Sequence, residues 1–179
     1  PLGNVKAVPA FNMIREKYKS GELDGVKRIV ENSSGNTVSA MAMVARQFGL
    51  ETTQSYVPAE ISWHKLLMLL FFGIEPIVNV EPQNPSETDP ESGIFKAKKD
   101  GEAADALNPG QYDNEDNPNA HEKWTGQQIW EQTDGKINIF CAGLGTTGTM
   151  IGNSRFLKRK NPAIRTVGAM RAPDNYVPG

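Results

Sequence analysis

The stretch Ile137-Asn138-Ile139-Phe140-Cys141-Ala142-Gly143-Leu144-Gly145-Thr146-Thr147-Gly148-Thr149 joins an apolar strand to a glycine-rich turn, and a helical pattern continues to Lys160. A strand, a glycine-rich turn and a helix in this order direct free backbone N–H groups and the positive end of a helix toward one point. The glycines allow close backbone approach, and the threonine hydroxyls add donors. The stretch therefore predicts a phosphate-binding turn in an α/β fold. The plainer alternative is an ordinary glycine turn that only links strand to helix.

Three kinds of phosphate ligand use such turns. A nucleoside triphosphate is disfavoured, because the Walker pattern needs a lysine after the last glycine and Thr149 stands there. The letters Gly143-x-Gly145-x-x-Gly148 match the dinucleotide fingerprint, but Gly168-Ala169 replaces the acidic residue expected about twenty positions later. Arg171 could hold a 2′-phosphate, so the turn alone leaves NADP open. Pyridoxal phosphate, the third ligand, needs a lysine and an oxyanion-binding loop elsewhere.

Strand and helix patterns alternate along the chain, which predicts an α/β fold with parallel strands and three layers in the order α, β, α. Strands are expected at 26–30, 51–57, 74–80, 136–142 and 164–170, and helices at 10–18, 38–48, 59–72, 94–107, 120–132 and 148–160. The segments 81–93 and 108–118 are polar and rich in Pro and Asn, which is typical of loops. They predict two domains, 1–107 and 108–179.

Composition excludes several classes of partner. Nineteen basic and 21 acidic residues give a net charge of −2, which disfavours nucleic acid and anionic membranes as partners. The longest apolar run, Leu66 to Phe72, is far too short to span a bilayer. A single cysteine, Cys141, rules out a disulfide within the chain, and we expect it to be buried as a small apolar side chain. It shares no metal-ligand spacing with the two histidines, so no metal site is predicted. We expect a cytoplasmic protein.

Further segments support the pyridoxal phosphate alternative. They are Pro1-Leu2-Gly3-Asn4-Val5-Lys6, Ser33-Ser34-Gly35-Asn36-Thr37, Gln111 to His121 and Thr125 to Trp130. In order and spacing, together with the glycine turn, they resemble the cysteine synthase / cystathionine β-synthase family, which has the tryptophan synthase β-like fold (fold type II) and uses pyridoxal 5′-phosphate. Each match is weak alone, but the set covers nearly the whole chain.

The resemblance implies a role for each matching residue. Lys6 would be the catalytic residue, which binds the cofactor covalently and then removes the Cα proton of the substrate. Asn36 would bind the ring hydroxyl of the cofactor, and His121 is interpreted as a structural hydrogen-bond partner. The α-carboxylate of the substrate would be held by Ser34, Gly35, Thr37 and Gln111, and the cofactor phosphate by Gly145, Thr146, Thr147, Gly148 and Thr149.

The implied reaction is β-elimination from a serine-like amino acid followed by addition of a nucleophile, as when O-acetylserine and sulfide give cysteine. Three alternatives stay open: a cystathionine β-synthase-type activity, a protein of this fold without turnover, and an NADP-binding domain. The second is suggested by Ala7-Val8, which replaces the family's Asp-Arg after the lysine, and Thr147 also replaces a glycine. The resemblance further implies a homodimer, and it implies that 108–179 is the truncated beginning of the large domain.

Overall fold

The computed structural model describes residues 3–82 and 85–170. The chain divides into two compact units, Pro1–Gly110 and Gln111–Gly179, whereas the sequence analysis places the boundary between residues 107 and 108. Pro1, Leu2 and Arg171, which entered the sequence analysis, lie outside the described residues. No helix in the described ranges is long and apolar enough to cross a membrane.

In its described residues, 3–82 and 85–110, the first unit contains four helices and one four-stranded sheet. The elements are α1 Ala7–Lys19, β1 Arg28–Asn32, α2 Asn36–Gln47, β2 Thr52–Pro58, α3 Trp63–Phe71, β3 Ile74–Asn79, α4 Gly93–Asp100 and β4 Ala106–Leu107. The strands are parallel in the order β3-β2-β1-β4. The predicted α/β fold with a parallel sheet is confirmed.

Strand β1 lies inside the sheet with helices on both of its faces. Ile29 packs with Met13 of α1 and Met41 of α2 on one face. Val30 packs with Ala97 of α4 on the other face. Since side chains alternate along a strand, each face of β1 contributes to a different cluster. The first unit therefore has three layers, αβα, and the carboxyl end of β1 is enclosed on both sides.

The predicted helix 94–107 is wrong in its second half. Helix α4 ends at Asp100, and Ala106–Leu107 instead forms β4 beside β1. The backbone at Gly101 approaches Asn108 so closely that an added Cβ would come within 2.5 Å of the Asn108 nitrogen. The Asn108 side chain donates to the Val30 carbonyl at 2.7 Å. These contacts turn the chain back toward the sheet, which a continuing helix could not reach.

Helix α3 and strand β3 carry an exposed apolar surface. Among the α3 side chains only Leu69 is buried, whereas Phe71 is 80% exposed and Trp63 is 65% exposed. Strand β3 pairs only with β2 in the described sheet, so it is an edge strand. Pro76 lies within this edge strand, opposite Ser55 of β2.

The second unit is a helical segment followed by a strand–helix–strand unit. Its elements are α5 Asp116–Ala120, a π-helical turn His121–Thr125, α6 Gly126–Gln132, β5 Ile139–Gly143, α7 Gly148–Lys160 and β6 Arg165–Ala169. Strands β5 and β6 are parallel. The predicted helix 120–132 begins earlier, at Asp116, because Pro118 is compatible with a first helical turn, and it contains the unpredicted π-helical turn.

The prediction that Cys141 is buried is wrong. Cys141 is exposed on β5. Within the described residues β5 pairs only with β6, and its side chains alternate between exposed and half-buried positions. The apolar composition of the strand indicated burial on both faces, but the described part of the chain covers neither face fully.

Candidate functional site

Lys6 immediately precedes α1. Its backbone N–H donates to Asn4 Oδ1 at 2.9 Å, and its carbonyl accepts from Ala10 at 3.0 Å. Asn4, which stands where the family has serine, thus forms the turn that starts the helix. The Lys6 side chain is half-buried, and this burial lowers its pKa below the usual value, while the negative charge of Glu31 opposes the shift. A lowered pKa increases the neutral fraction of the amine, the form that acts as nucleophile and base.

Glu31 is a buried carboxylate that the sequence analysis missed. It is 1% exposed and follows Ile29 by two residues on β1, so it lies on the strand face that packs against α1. One carboxylate oxygen accepts from the Asn32 N–H at 2.9 Å. The available signal was an acidic residue directly after the apolar pair Ile29-Val30, at a strand position where a buried carboxylate is costly unless it has a partner.

The loop of residues 33–37 connects the carboxyl end of β1 to the first turn of α2. Its position is fixed by Ser55 of β2, whose hydroxyl donates to the Ser33 carbonyl at 2.7 Å and accepts from the Ser33 N–H at 3.2 Å. Ser55 is fully buried, so this pair of bonds is protected from water. The loop is therefore anchored to the neighbouring strand rather than held only by its own turns.

The donors of this loop suit a carboxylate. Within residues 3–82 and 85–170, the N–H groups of Asn36 and Val38 and the hydroxyl of Ser34 have no hydrogen-bond partner. They lie at the N-terminus of the 12-residue helix α2, where the helix dipole favours an anion. Thr37 is buried and the Asn36 side chain is exposed. The structure thus places Ser34, Gly35 and Thr37 at one helix end.

The glycine turn after β5 has the features of a phosphate cradle. In the described part of the chain, the N–H groups of Gly145, Thr147, Gly148 and Thr149 have no acceptor, and α7 follows as a helix of 13 residues. A Cβ added to Gly143 or Gly145 would meet nothing within 4 Å, so the space beside the turn is open. The turn offers the donors, the helix end and the room that a phosphate group requires.

Thr147 is held in an uncommon conformation within this turn. Its φ is 63° and its ψ is −9°, which places a β-branched residue in the left-handed region at the N-cap of α7. Glycine adopts this conformation without steric cost, whereas Thr does not. The position fits the resemblance, since the family has a glycine there.

Two hydroxyls of the phosphate cradle contact buried side chains of α5 and of the π-helical turn that follows it. Asn117 Nδ2 donates to Thr146 Oγ1 at 3.0 Å. His121 Nε2 lies 3.2 Å from Thr149 Oγ1, and its Nδ1 lies 3.0 Å from Thr125 Oγ1. The interpretation of His121 as a structural hydrogen-bond partner fits these contacts. Asn117 was not predicted as a site residue, because its spacing to the turn carries no signal until the two segments pack.

Helix α7 touches this segment through glycines. A Cβ at Gly148 would meet the Asn117 amide, within 2.5 Å of its Cγ. A Cβ at Gly152 would overlap the Pro118 carbonyl oxygen and lie 2.8 Å from the Glu122 nitrogen and from His121 Cβ. These two glycines, four residues apart on one helix face, bring the backbones close enough for the Asn117 and His121 side chains to reach the cradle.

Gln111 is the first residue of the second unit and is buried. Its carbonyl accepts from Asn117 Nδ2 at 2.9 Å. The predicted site residues are thus divided: Lys6 and residues 34–37 belong to the first unit, and Gln111 and residues 145–149 belong to the second.

Comparison with known proteins gives a family match over nearly the whole sequence. Residues 1–176 match the family described as "Pyridoxal-phosphate dependent enzyme". Cysteine synthase B of Salmonella typhimurium is 33% identical over 179 residues, which is 100% of this chain and 57% of the relative. The O-acetylserine dependent cystathionine beta-synthase of Bacillus subtilis is 33% identical over 168 residues, 93% of this chain and 53% of the relative.

Comparison with solved structures finds proteins of the same kind. The crystal structure of cysteine synthase from Entamoeba histolytica superimposes with a TM-score of 0.78 at 29% identity, covering 94% of this chain and 48% of that protein. The chain therefore spans roughly half the length of the proteins it resembles, between 48% and 57% in these three cases.

Proposed function

Because the chain belongs to the family of pyridoxal-phosphate dependent enzymes, we propose that the protein catalyses β-replacement on a serine-like amino acid, with O-acetylserine and sulfide as substrates and cysteine as product. The similarity to cysteine synthase B over the full chain supports this choice of reaction. The chain covers 57% of that relative, so the activity is proposed for the full-length protein.

The phosphate of the cofactor is assigned to the cradle. The open N–H groups of Gly145, Thr147, Gly148 and Thr149 and the hydroxyl of Thr146 are its proposed donors. When bound, pyridoxal phosphate supplies an electron sink for negative charge that develops at the substrate Cα. Asn36 is assigned to the ring hydroxyl.

Lys6 is assigned to covalent attachment of the cofactor and to removal of the Cα proton. Both roles need a neutral amine, and the observation that carries the proposal is the half-buried Lys6 whose pKa is lowered by burial. The substrate carboxylate is assigned to the N-terminus of α2, where Ser34, Gly35 and Thr37 lie, and to Gln111. A carboxylate there meets hydroxyls and backbone N–H groups and needs no fixed cation.

The first experiment measures cysteine formation from O-acetylserine and sulfide by the full-length protein, followed by borohydride reduction and peptide mapping. We expect the cofactor to be trapped on Lys6, and we expect Lys6→Ala to lower the rate by roughly 10²–10⁴-fold or more. Lys27→Ala is the matched control, because the Lys27 side chain is exposed and has no hydrogen-bond or ion-pair partner among the described residues. Trapping on another lysine would overturn the assignment.

A second candidate is a cystathionine β-synthase-type reaction, in which homocysteine replaces sulfide. It is favoured by the 33% identity to the O-acetylserine dependent enzyme of Bacillus subtilis. A panel that pairs O-acetylserine, serine and O-phosphoserine with sulfide or homocysteine separates the two. Cofactor binding without product in every pair would instead favour a protein without turnover.

We also propose a homodimer in the cytoplasm. The support is the family resemblance and, for the compartment, the presence of only one cysteine in 179 residues. Light scattering coupled to gel filtration measures the oligomeric state, and cell fractionation measures the compartment. If the full-length protein is a monomer, the proposed dimer is wrong.

A further inference from the structure

The two threonine hydroxyls that contact the helical segment 116–125 are three residues apart on α7 and its N-terminal turn. They meet two buried side chains four residues apart, Asn117 and His121. Asn117 is 2% exposed and His121 is 0% exposed. Thr125, four residues further on, contacts the other nitrogen of His121. A row of polar groups on one helix face thus runs beneath the phosphate cradle.

The direction of the first contact is fixed. Asn117 Nδ2 donates to the Gln111 carbonyl at 2.9 Å, and a carbonyl can only accept, so the amide orientation is determined. The same nitrogen therefore donates to Thr146 Oγ1 at 3.0 Å. A hydroxyl has one proton to donate, and Asn117 engages Thr146 without using that proton.

The direction of the second contact depends on the tautomer of His121. If Nδ1 carries the proton, the ring donates to Thr125, and Thr149 must use its only proton toward Nε2. If Nε2 carries the proton, Thr125 donates to Nδ1 and the ring donates to Thr149 Oγ1. Thr149 then keeps its own O–H for another acceptor. Phosphate oxygens are acceptors, so only the second tautomer lets Thr149 donate to a phosphate.

We propose that His121 is a positioning residue: as the Nε2–H tautomer it donates to Thr149 Oγ1 and thereby directs the Thr149 O–H at the phosphate in the cradle. His121 acts on Thr149 as Asn117 acts on Thr146. The inference rests on the proposed function in one respect, the occupation of the cradle by a phosphate group.

The packing holds His121 in place for this role. Gly152, one turn after Thr149, lets the backbone of α7 lie against Pro118 and against His121 Cβ. The π-helical turn closes with a bond from the Gly126 N–H to the His121 carbonyl. The backbone of His121 is hydrogen-bonded, its ring is buried, and each ring nitrogen lies beside a threonine hydroxyl, so the position of the ring proton determines the direction of these two contacts.

The first test is ¹⁵N NMR of the full-length protein loaded with pyridoxal phosphate and, separately, of the cofactor-free protein with inorganic phosphate. The His121 signals are assigned by their loss in His121→Gln, and His64, which is exposed, is the internal reference. We expect the Nε2–H tautomer with either ligand. An Nδ1–H tautomer or a doubly protonated ring in the phosphate-bound protein would overturn the proposal.

The second test compares two variants of similar length, His121→Gln, which keeps a donor near the Nε2 position, and His121→Met, which has none. Because a hydrogen bond to a charged group contributes strongly to binding, we expect His121→Met to lose about 10- to 100-fold in phosphate and cofactor affinity. The affinity of His121→Gln should stay close to that of the parent protein. Circular dichroism confirms that both variants are folded. Equal losses in the two variants would contradict a donor role.

A double-mutant cycle separates positioning from general support of the fold. Since His121 acts through Thr149, the affinity of His121→Met/Thr149→Val should equal that of Thr149→Val alone. Losses that multiply would show a structural role and overturn the inference. If the parent protein binds neither phosphate nor pyridoxal phosphate, both the proposed function and this inference are wrong. If the parent protein binds tightly and His121→Met binds equally well, only the inference is wrong.

Discussion

Replacing Thr147 with glycine should stabilise the second unit even though it removes a side chain. Thr147 has a φ of 63°, and a non-glycine residue in the left-handed region costs about 1–2 kcal/mol. Glycine removes this cost but gives the unfolded chain more freedom, which costs about 0.5–1 kcal/mol. The Thr147 hydroxyl has no hydrogen-bond partner in the described residues, so no bond is lost. The mid-range values of these terms, about 1.5 and about 0.75 kcal/mol, leave an expected net gain of about 0.75 kcal/mol.

Urea unfolding of the full-length protein measures this gain, and hydrogen exchange of peptides from α7 shows where it arises. Thr147→Ala is the first control, because it removes the hydroxyl and keeps most of the backbone strain, so it should gain little. Asp134→Gly is the second control. Asp134 also has a positive φ, of 48°, but Asp tolerates this region better than Thr. The strain argument fails if Thr147→Gly is no more stable than the parent, or if both controls gain as much.

The remaining predictions concern packing and charge. Gly152→Ala should destabilise the protein by about 1–3 kcal/mol in urea unfolding, because its Cβ would overlap the Pro118 carbonyl; Gln128→Ala, at an exposed helical position, should change stability by less than about 0.5 kcal/mol. Glu31→Gln should lower the pKa of Lys6 further, because the carboxylate favours the charged ammonium. The pH profile for borohydride trapping at Lys6 should then shift to lower pH, and an unchanged or upward-shifted profile would rule out this charge coupling.

Local patterns predicted the elements whose ends carry strong signals. Helix α7 begins and ends where the sequence indicates, since Gly148 follows the turn and Asn161-Pro162 stops the helix. The alternation of strands and helices was sufficient to predict that the sheet is parallel. Strand β4 was missed because two residues cannot show a period, and the chain reaches the sheet there through a close approach of Gly101 to Asn108, which are seven residues apart.

The candidate site was predictable where chemistry is concentrated in short motifs and not where it depends on packing. The free N–H groups after β5 and at the start of α2 follow from a strand, a short turn and a helix. Glu31, Asn117 and the contact from His121 to Thr149 come from segments distant in sequence. No spacing rule connects residues 28 positions apart on different helices, as His121 and Thr149 are.

Pro76 has a consequence for the behaviour of the protein at high concentration. An edge strand with free N–H groups is a template on which another chain can add a strand, and the apolar side chains of α3 next to β3 would increase the gain from such growth. A proline within a strand is tolerated where its missing N–H faces away from the ladder. Pro76 leaves β3 with one backbone N–H fewer, and a proline in an edge strand limits sheet growth between molecules, while the pairing of β3 with β2 is retained.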